Sequence, residues 1–416
     1  MSQEEKKHSN ATNHYAYYPD DQWVPRWNWL AYGFRPIFLV LAPYMILSMI
    51  LWGLVYSGYI NIPFLGDTLT WHIYEMLFGI ATAGIMAFLF TGLPELFPGW
   101  VPIIGWRLFL IVLWWVLGRV SFWMIDIVGV PIVAGINLSL LVWILYHAKD
   151  VILDPLQRHS SLAYTIVAIF GIEVWFFASV MGKAETSSLI ILKVAVGAFV
   201  VLTLLALRRV NMEAINEIIE DEEIDDVFIA PPPRYNLAIF TVILFTVVEF
   251  FYPQNSILGW LGLAVGAALL GILNDYVLKD ESIYHIAYVW YLGFIPVMFA
   301  LGYALMGWDL LNPDFFGINH FRHFITSGGI GLGYLMVMII ISYVHTGRQL
   351  VANIWTHLMV GFIILATFMR ALIPFFEAQS SFLYLASSIV WTLPFFIYIG
   401  VFFKYLVKER ADGIKG

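Results

Sequence analysis

The chain has 416 residues, of which 61% are hydrophobic and only 12% charged. So little charge cannot cover a soluble domain of this size, and the absence of cysteine excludes disulfides, thiolate metal centres and a sulfur nucleophile. The net charge of −8 identifies no partner, and nothing in the sequence points to nucleic acid.

Residues 1–30 are polar and aromatic and lack the apolar core of a cleavable signal peptide. From Gly33 to Leu406, apolar runs of about 20 residues recur, each long enough to cross a ~30 Å hydrocarbon core as a helix. Water is absent there, so a segment must satisfy its own backbone, and a helix does so. In chain order the runs predict spans at 34–57, 71–95, 106–128, 130–147, 160–181 and 188–208. A second set follows at 235–252, 257–277, 283–306, 320–344, 352–373 and 381–407. The fold class is all-α, a polytopic transmembrane bundle of about twelve helices in one membrane domain, 34–407, so the lipid bilayer is its first partner. Residues 1–33 form an N-terminal segment and 408–416 a C-terminal tail. The halves, 34–208 and 235–407, are joined by 209–234, where acids run from Glu213 to Asp226 before Pro231, Pro232 and Pro233. That composition reads as a solvated loop with a stiff end.

Lys and Arg set the orientation. With the N-terminus in the cytoplasm, sixteen of the eighteen cations in tails, loops or the ends of spans fall on the inner side, and only Lys183 and Arg322 fall on the outer side. Both termini and the acidic linker are therefore expected in the cytoplasm. Arg119 and Glu173 fall near mid-span, where an unpaired charge costs ~2.5 kcal/mol or more, so they are expected to pair. Lys193, Glu249 and Arg370 lie near the outer helix ends, within snorkelling reach of water.

Ten histidines occur, and His8, His14 and His159 sit in the tail or a loop. The other seven fall at two depths. His72 opens the second span; His320 and His323 open the tenth, on the outer side. His147, His285, His345 and His357 lie on the inner side. In a helix, His72 shares a face with Glu75 and Met76, and His320 with His323. His323 and His345 are 22 residues apart, or ~33 Å along a continuous helix, so they cannot share a metal. Gly328, Gly329, Gly331 and Gly333 on the tenth span, with Gly79 and Gly84 on the second, suggest close approach of another helix or of a flat group such as a porphyrin.

Several stretches resemble the NnrS family. Gly33-Phe34-Arg35-Pro36 is similar to its GFRP start, and Trp71-His72-Ile73-Tyr74-Glu75-Met76-Leu77-Phe78-Gly79 to its WHxHEMLFG signature. His285 with Tyr288 and Trp290 fits HxxYxW. His323 with Thr326, Gly328, Ile330 and Gly331 resembles HALTVGAIG, and Val344-His345-Thr346-Gly347-Arg348-Gln349-Leu350 resembles GHTGRPL. The sequence departs from the pattern at Tyr74 (histidine in the family), Val344 (glycine) and Gln349 (proline). The resemblance implies a twelve-helix inner-membrane protein holding haem and copper, active in the response to nitric oxide and nitrosative stress. On that basis His72 and His323 are the candidate haem ligands, the haem of b type, with Tyr74 and Glu75 orienting the imidazoles. His285 and His345, with Arg348 for propionates or an anion, are the candidate second metal site. Nitric oxide or a related small ligand and a quinol or other redox partner are the expected partners. A secondary transporter or exporter of a small ligand or metal complex is the alternative, although no convincing repeat relates the two halves.

Overall fold

The computed structural model describes residues 27–61, 67–96, 102–153, 160–279, 281–312 and 317–413. His8, His14 and His159 lie outside the described residues, as does most of the N-terminal segment. Twelve helices are long and apolar enough to cross a membrane, and no strand occurs among the described residues. The first six are α1 (Phe34–Tyr56), α2 (Thr68–Gly92), α3 (Gly105–Trp123), α4 (Val130–Lys149), α5 (Ser160–Val180) and α6 (Ser188–Asp221). The others are α7 (Pro232–Phe251), α8 (Ser256–Tyr276), α9 (Ala287–Leu311), α10 (Ile318–Val344), α11 (Ile354–Ala371) and α12 (Glu377–Val407). The protein is thus a multi-pass membrane protein with the twelve spans expected. α2 and α10 are the most buried of the twelve. They form the middle of the bundle, and they are the helices that carry His72 and His323.

The linker differs from its expected form. α6 continues to Asp221, and its 34 residues would span ~51 Å at 1.5 Å each, well beyond a ~30 Å core. The extension is helical because the acids sit on one side while Asn211, Ala214, Ile215, Ile218 and Ile219 are buried on the other. Asn211 donates to the hydroxyls of Tyr235 and Tyr276 at 3.2 and 2.9 Å. Asn216 exchanges hydrogen bonds with the backbone of Phe228, folding the remaining loop back onto α6. Pro231 then caps α7, whose first turn contains Pro232 and Pro233, positions where a missing N–H costs nothing.

Two features hold the packing. α8 and α9 meet through small residues: a methyl group at Gly262 would stand 2.7 Å from the Tyr303 carbonyl oxygen and 2.9 Å from Gly307 Cα. Without a hydrophobic force between helices in lipid, such close backbone approach is what drives their association. At the far end of the bundle from His72, fully buried Arg35 donates through Nη1 to the carbonyls of Tyr405, Leu406 and Lys408, at 3.1, 3.0 and 2.7 Å. These are carbonyls that the end of α12 leaves without helical partners. The GFRP stretch therefore fastens the first helix to the last.

Candidate functional site

His72 is the fifth residue of α2 and His323 the sixth of α10, both at the same end of the bundle. A π-helical turn follows each, Glu75–Gly79 three residues on from His72 in α2 and Phe324–Ile330 directly after His323 in α10. Such turns rotate the residues beyond them and recur at functional sites. Between α1, α2, α6, α10, α11 and α12 lies a cavity of about 480 Å³, within the range of cofactor sites. His72, His320 and His323 all line it, so the structure brings the outer histidines together. Met45, Met49, Trp52 and Met76 form much of its apolar wall, and Lys193, Arg322 and Arg370 its cationic part.

Hydrogen bonds separate the three imidazoles by role. His323 Nδ1 lies 3.0 Å from the carbonyl oxygen of Asn319. A carbonyl only accepts, so Nδ1 carries the proton and Nε2 keeps its lone pair. His320 is the opposite: Arg370 Nη1 donates to its Nδ1 at 2.9 Å, leaving the proton on Nε2. His72 stacks on Trp52 with ring centroids 3.9 Å apart and planes 5° from parallel. Its Nδ1 is buried and has no hydrogen-bond partner among the described residues. Arg322 pairs with Glu249, while Arg370 lies over the Tyr384 ring at 4.8 Å and has no carboxylate partner among the described residues. The cavity thus combines an imidazole lone pair, a second imidazole fixed in plane and an excess of positive charge.

Tyr74 and Glu75 do not orient these imidazoles. Three residues on from His72 is 300° around a helix, so Glu75 leaves the cavity face while Met76, at 400°, returns to it. Fully buried Glu75 instead takes Arg119 Nη1 at 2.7 Å and the Tyr44 hydroxyl. Arg119 also donates to Asn137. The expected Arg119–Glu173 pair is replaced: Glu173 accepts from the Tyr74 hydroxyl at 2.6 Å. Tyr74, where the family has histidine, is therefore a link between the second and fifth helices. Sequence spacing assigned Glu75 to the wrong face because three- and four-residue steps differ by 100°, which composition does not register. The partnership of Glu75 with Arg119 had a signal, since both are charges at mid-span, but the choice between two acids needed the packing.

The inner pair is not drawn into one site. His285 is exposed and bonds to Glu222 at 2.8 Å and the Ser282 carbonyl at 3.0 Å. His345 sits among the rings of Tyr32 and Phe34, with centroids 5.8 and 5.9 Å away. Arg348 is committed to Thr346 and lies 3.9 Å over the Tyr405 ring, so it is not positioned for propionates. The reason is the sharp turn after α10, with Gly347 at φ 71°, which folds Arg348 back onto Thr346. His147 accepts from Trp143, and His357 bonds to the Tyr291 hydroxyl. Among the described residues no three His, Asp or Glu side chains converge as metal ligands.

The glycines mostly serve helix packing. Gly84 receives the Tyr334 ring, Gly328 the side chains of Met298 and Thr367, and Gly329 the Phe299 ring. Of the six, Gly331 alone lines the histidine cavity.

Fold and cavity together define a twelve-span helical membrane protein with a histidine- and arginine-lined chamber at one end of the bundle. The sequence profile of the family described as NnrS protein matches residues 28–410. The chain belongs to the NnrS family. No curated protein and no solved structure matches it.

Proposed function

We propose that the protein binds haem, of b type, in the cavity at His72 and His323, and that it acts in the bacterial response to nitric oxide and nitrosative stress. The observation that carries this reading is His323, whose tautomer is set by Asn319 so that Nε2 is free to ligate. His72 would be the second side chain that holds the haem or faces its small ligand, and its stacking on Trp52 fixes the ring plane before anything binds. Arg370 and Lys193 would hold the anionic propionates, and Met45, Met49 and Leu77 would exclude water from the rest. When bound, haem would supply one-electron chemistry and a metal that small ligands such as nitric oxide bind. Copper would sit in this chamber rather than at His285 and His345, because Met45, Met49 and Met76 line it and offer the soft donors that copper(I) takes. Family membership supports the nitric oxide role, and a quinol or other redox partner supplies the electrons. Family membership also supports an inner membrane location, and the sixteen-to-two distribution of Lys and Arg supports both termini in the cytoplasm.

The test is a reduced-minus-oxidised absorption spectrum of the purified protein with metal analysis. His323→Ala and His72→Ala should lose haem or turn it high-spin, while His285→Ala and His345→Ala keep the wild-type spectrum. A colourless, metal-free protein that takes up a substrate would refute the reading in favour of a transporter. Repeat symmetry gives that alternative no help, because the two histidine helices are the second of one half and the fourth of the other. Loss of haem only in the two inner variants would move the site to the other end of the bundle.

A further inference from the structure

Beside the cavity, on the other face of α1 and α2, lies a buried polar cluster that the haem reading does not use. It contains two carboxyl groups, Glu75 and Glu173, and one guanidinium, Arg119, none more than 4% exposed. The groups facing them are Tyr44 from α1, Tyr74 from α2 and Asn137 from α4; no other charge reaches the cluster among the described residues. Rings close it off: Tyr74 stacks on Phe122 and Phe176 at 3.9 and 4.8 Å, and Trp115 and Trp123 pack against Tyr44.

Charge and donor counts separate the two acids. Glu75 receives the Arg119 cation at 2.7 Å and the Tyr44 hydroxyl, both on Oε2. Glu173 receives one neutral donor, the Tyr74 hydroxyl at 2.6 Å, on Oε1. Each acid also has one buried oxygen with no partner among the described residues, Oε1 of Glu75 and Oε2 of Glu173, so the difference lies in the donors each receives. Two carboxylates against one cation would leave a net negative charge in an apolar layer, where an ion without a counterion costs far more than a bound proton. We propose that this cluster is a proton-binding site that holds one exchangeable proton within the membrane, carried by Glu173 while Glu75 remains the counterion of Arg119. Consecutive residues connect it to the chamber. Tyr44 and Glu75 face the cluster, whereas their neighbours Met45 and Met76 line the cavity. The same two helices therefore carry the cluster on one face and the chamber wall on the other. The inference stands on the cluster alone and does not depend on what the chamber binds.

The experiment is infrared spectroscopy of the purified full-length protein at neutral pH, read at the carbonyl stretch of a protonated carboxyl group. The wild type should show such a band, shifted in D₂O, and Glu173→Gln should remove it with little change in melting temperature, since glutamine is isosteric with the neutral acid. Glu75→Gln should also remove the band, because Glu173 then ionises as the counterion of Arg119. The double variant Glu75→Gln with Arg119→Met should restore it, because no cation is left to ionise Glu173. A wild-type band that both single variants leave unchanged would overturn the proposal. Loss in Glu75→Gln but not in Glu173→Gln would put the proton on the other acid and overturn it equally. A band that never shifts in D₂O would overturn the exchange.

Discussion

Arg35 offers the sharpest quantitative test of how the bundle is held. Its Nη1 contacts three carbonyls at the end of α12, at 2.7–3.1 Å. That nitrogen has two protons, so two of the three bonds act at full strength at once. Charge-assisted hydrogen bonds contribute ~1.5–3 kcal/mol each, or ~3–6 kcal/mol for the pair. Arg35→Met keeps the aliphatic stem and removes the cost of burying a guanidinium, which offsets part of the loss. The net expectation is ~2–4 kcal/mol of lost stability, because the freed carbonyls are partly buried and carry the negative end of the helix dipole. Arg348→Met is the control. Its guanidinium is only partly buried and bonds within its own turn, so ~1 kcal/mol is expected. Melting in detergent, followed by monodispersity on heating, reads both, and proteolysis at the C-terminus should accelerate in Arg35→Met alone. Equal melting of Arg35→Met and wild type, with a larger loss in Arg348→Met, would refute the claim that GFRP is a clamp.

The α8–α9 seam predicts that Gly262→Val loses ~1–3 kcal/mol through overpacking, since its methyl groups meet the Tyr303 carbonyl and Gly307 backbone; unchanged melting would contradict the close approach. Beyond the end of α10, burial, reinforced by Arg410, pushes His345 down to about 3. The unfolded chain then binds the extra proton between that value and ~6.5, so stability from this group is complete above ~6.5 and falls as pH is lowered. His345→Phe should flatten the dependence between neutral pH and pH ~4, and an equally steep profile in the variant would remove His345 as its cause. A protease site inserted in the loop after Asp221 should be cut from the cytoplasmic side only; cleavage from outside in intact cells would reverse the topology. Arg370→Met should reduce retention of an anionic porphyrin more than Arg322→Met does, because Arg322 already has Glu249; the reverse order, read by haem content, would count against Arg370 as the propionate anchor.

The sequence by itself determined the class of protein and the number of spans, because hydrocarbon permits few solutions and a run of apolar residues is a one-dimensional signal. It also placed His72 and His323 at one depth, since depth follows from residue count at 1.5 Å per residue. What it could not determine was which way a side chain turns between neighbouring helices. Glu75 and Met76 are adjacent in sequence, yet one meets Arg119 and the other lines the chamber. His345 and His285 share a depth by the same residue count, but rotation about α10 and the loop before α9 sends them to different surroundings. The acids of the linker looked solvated, and they are, but the isoleucines between them found a face to bury and kept the helix going. Partner choice among buried charges, the roles of the three cavity imidazoles and the use of the glycines were decided by packing. Each depends on the angular phase and neighbours of a helix, quantities that exist only once the twelve helices are assembled.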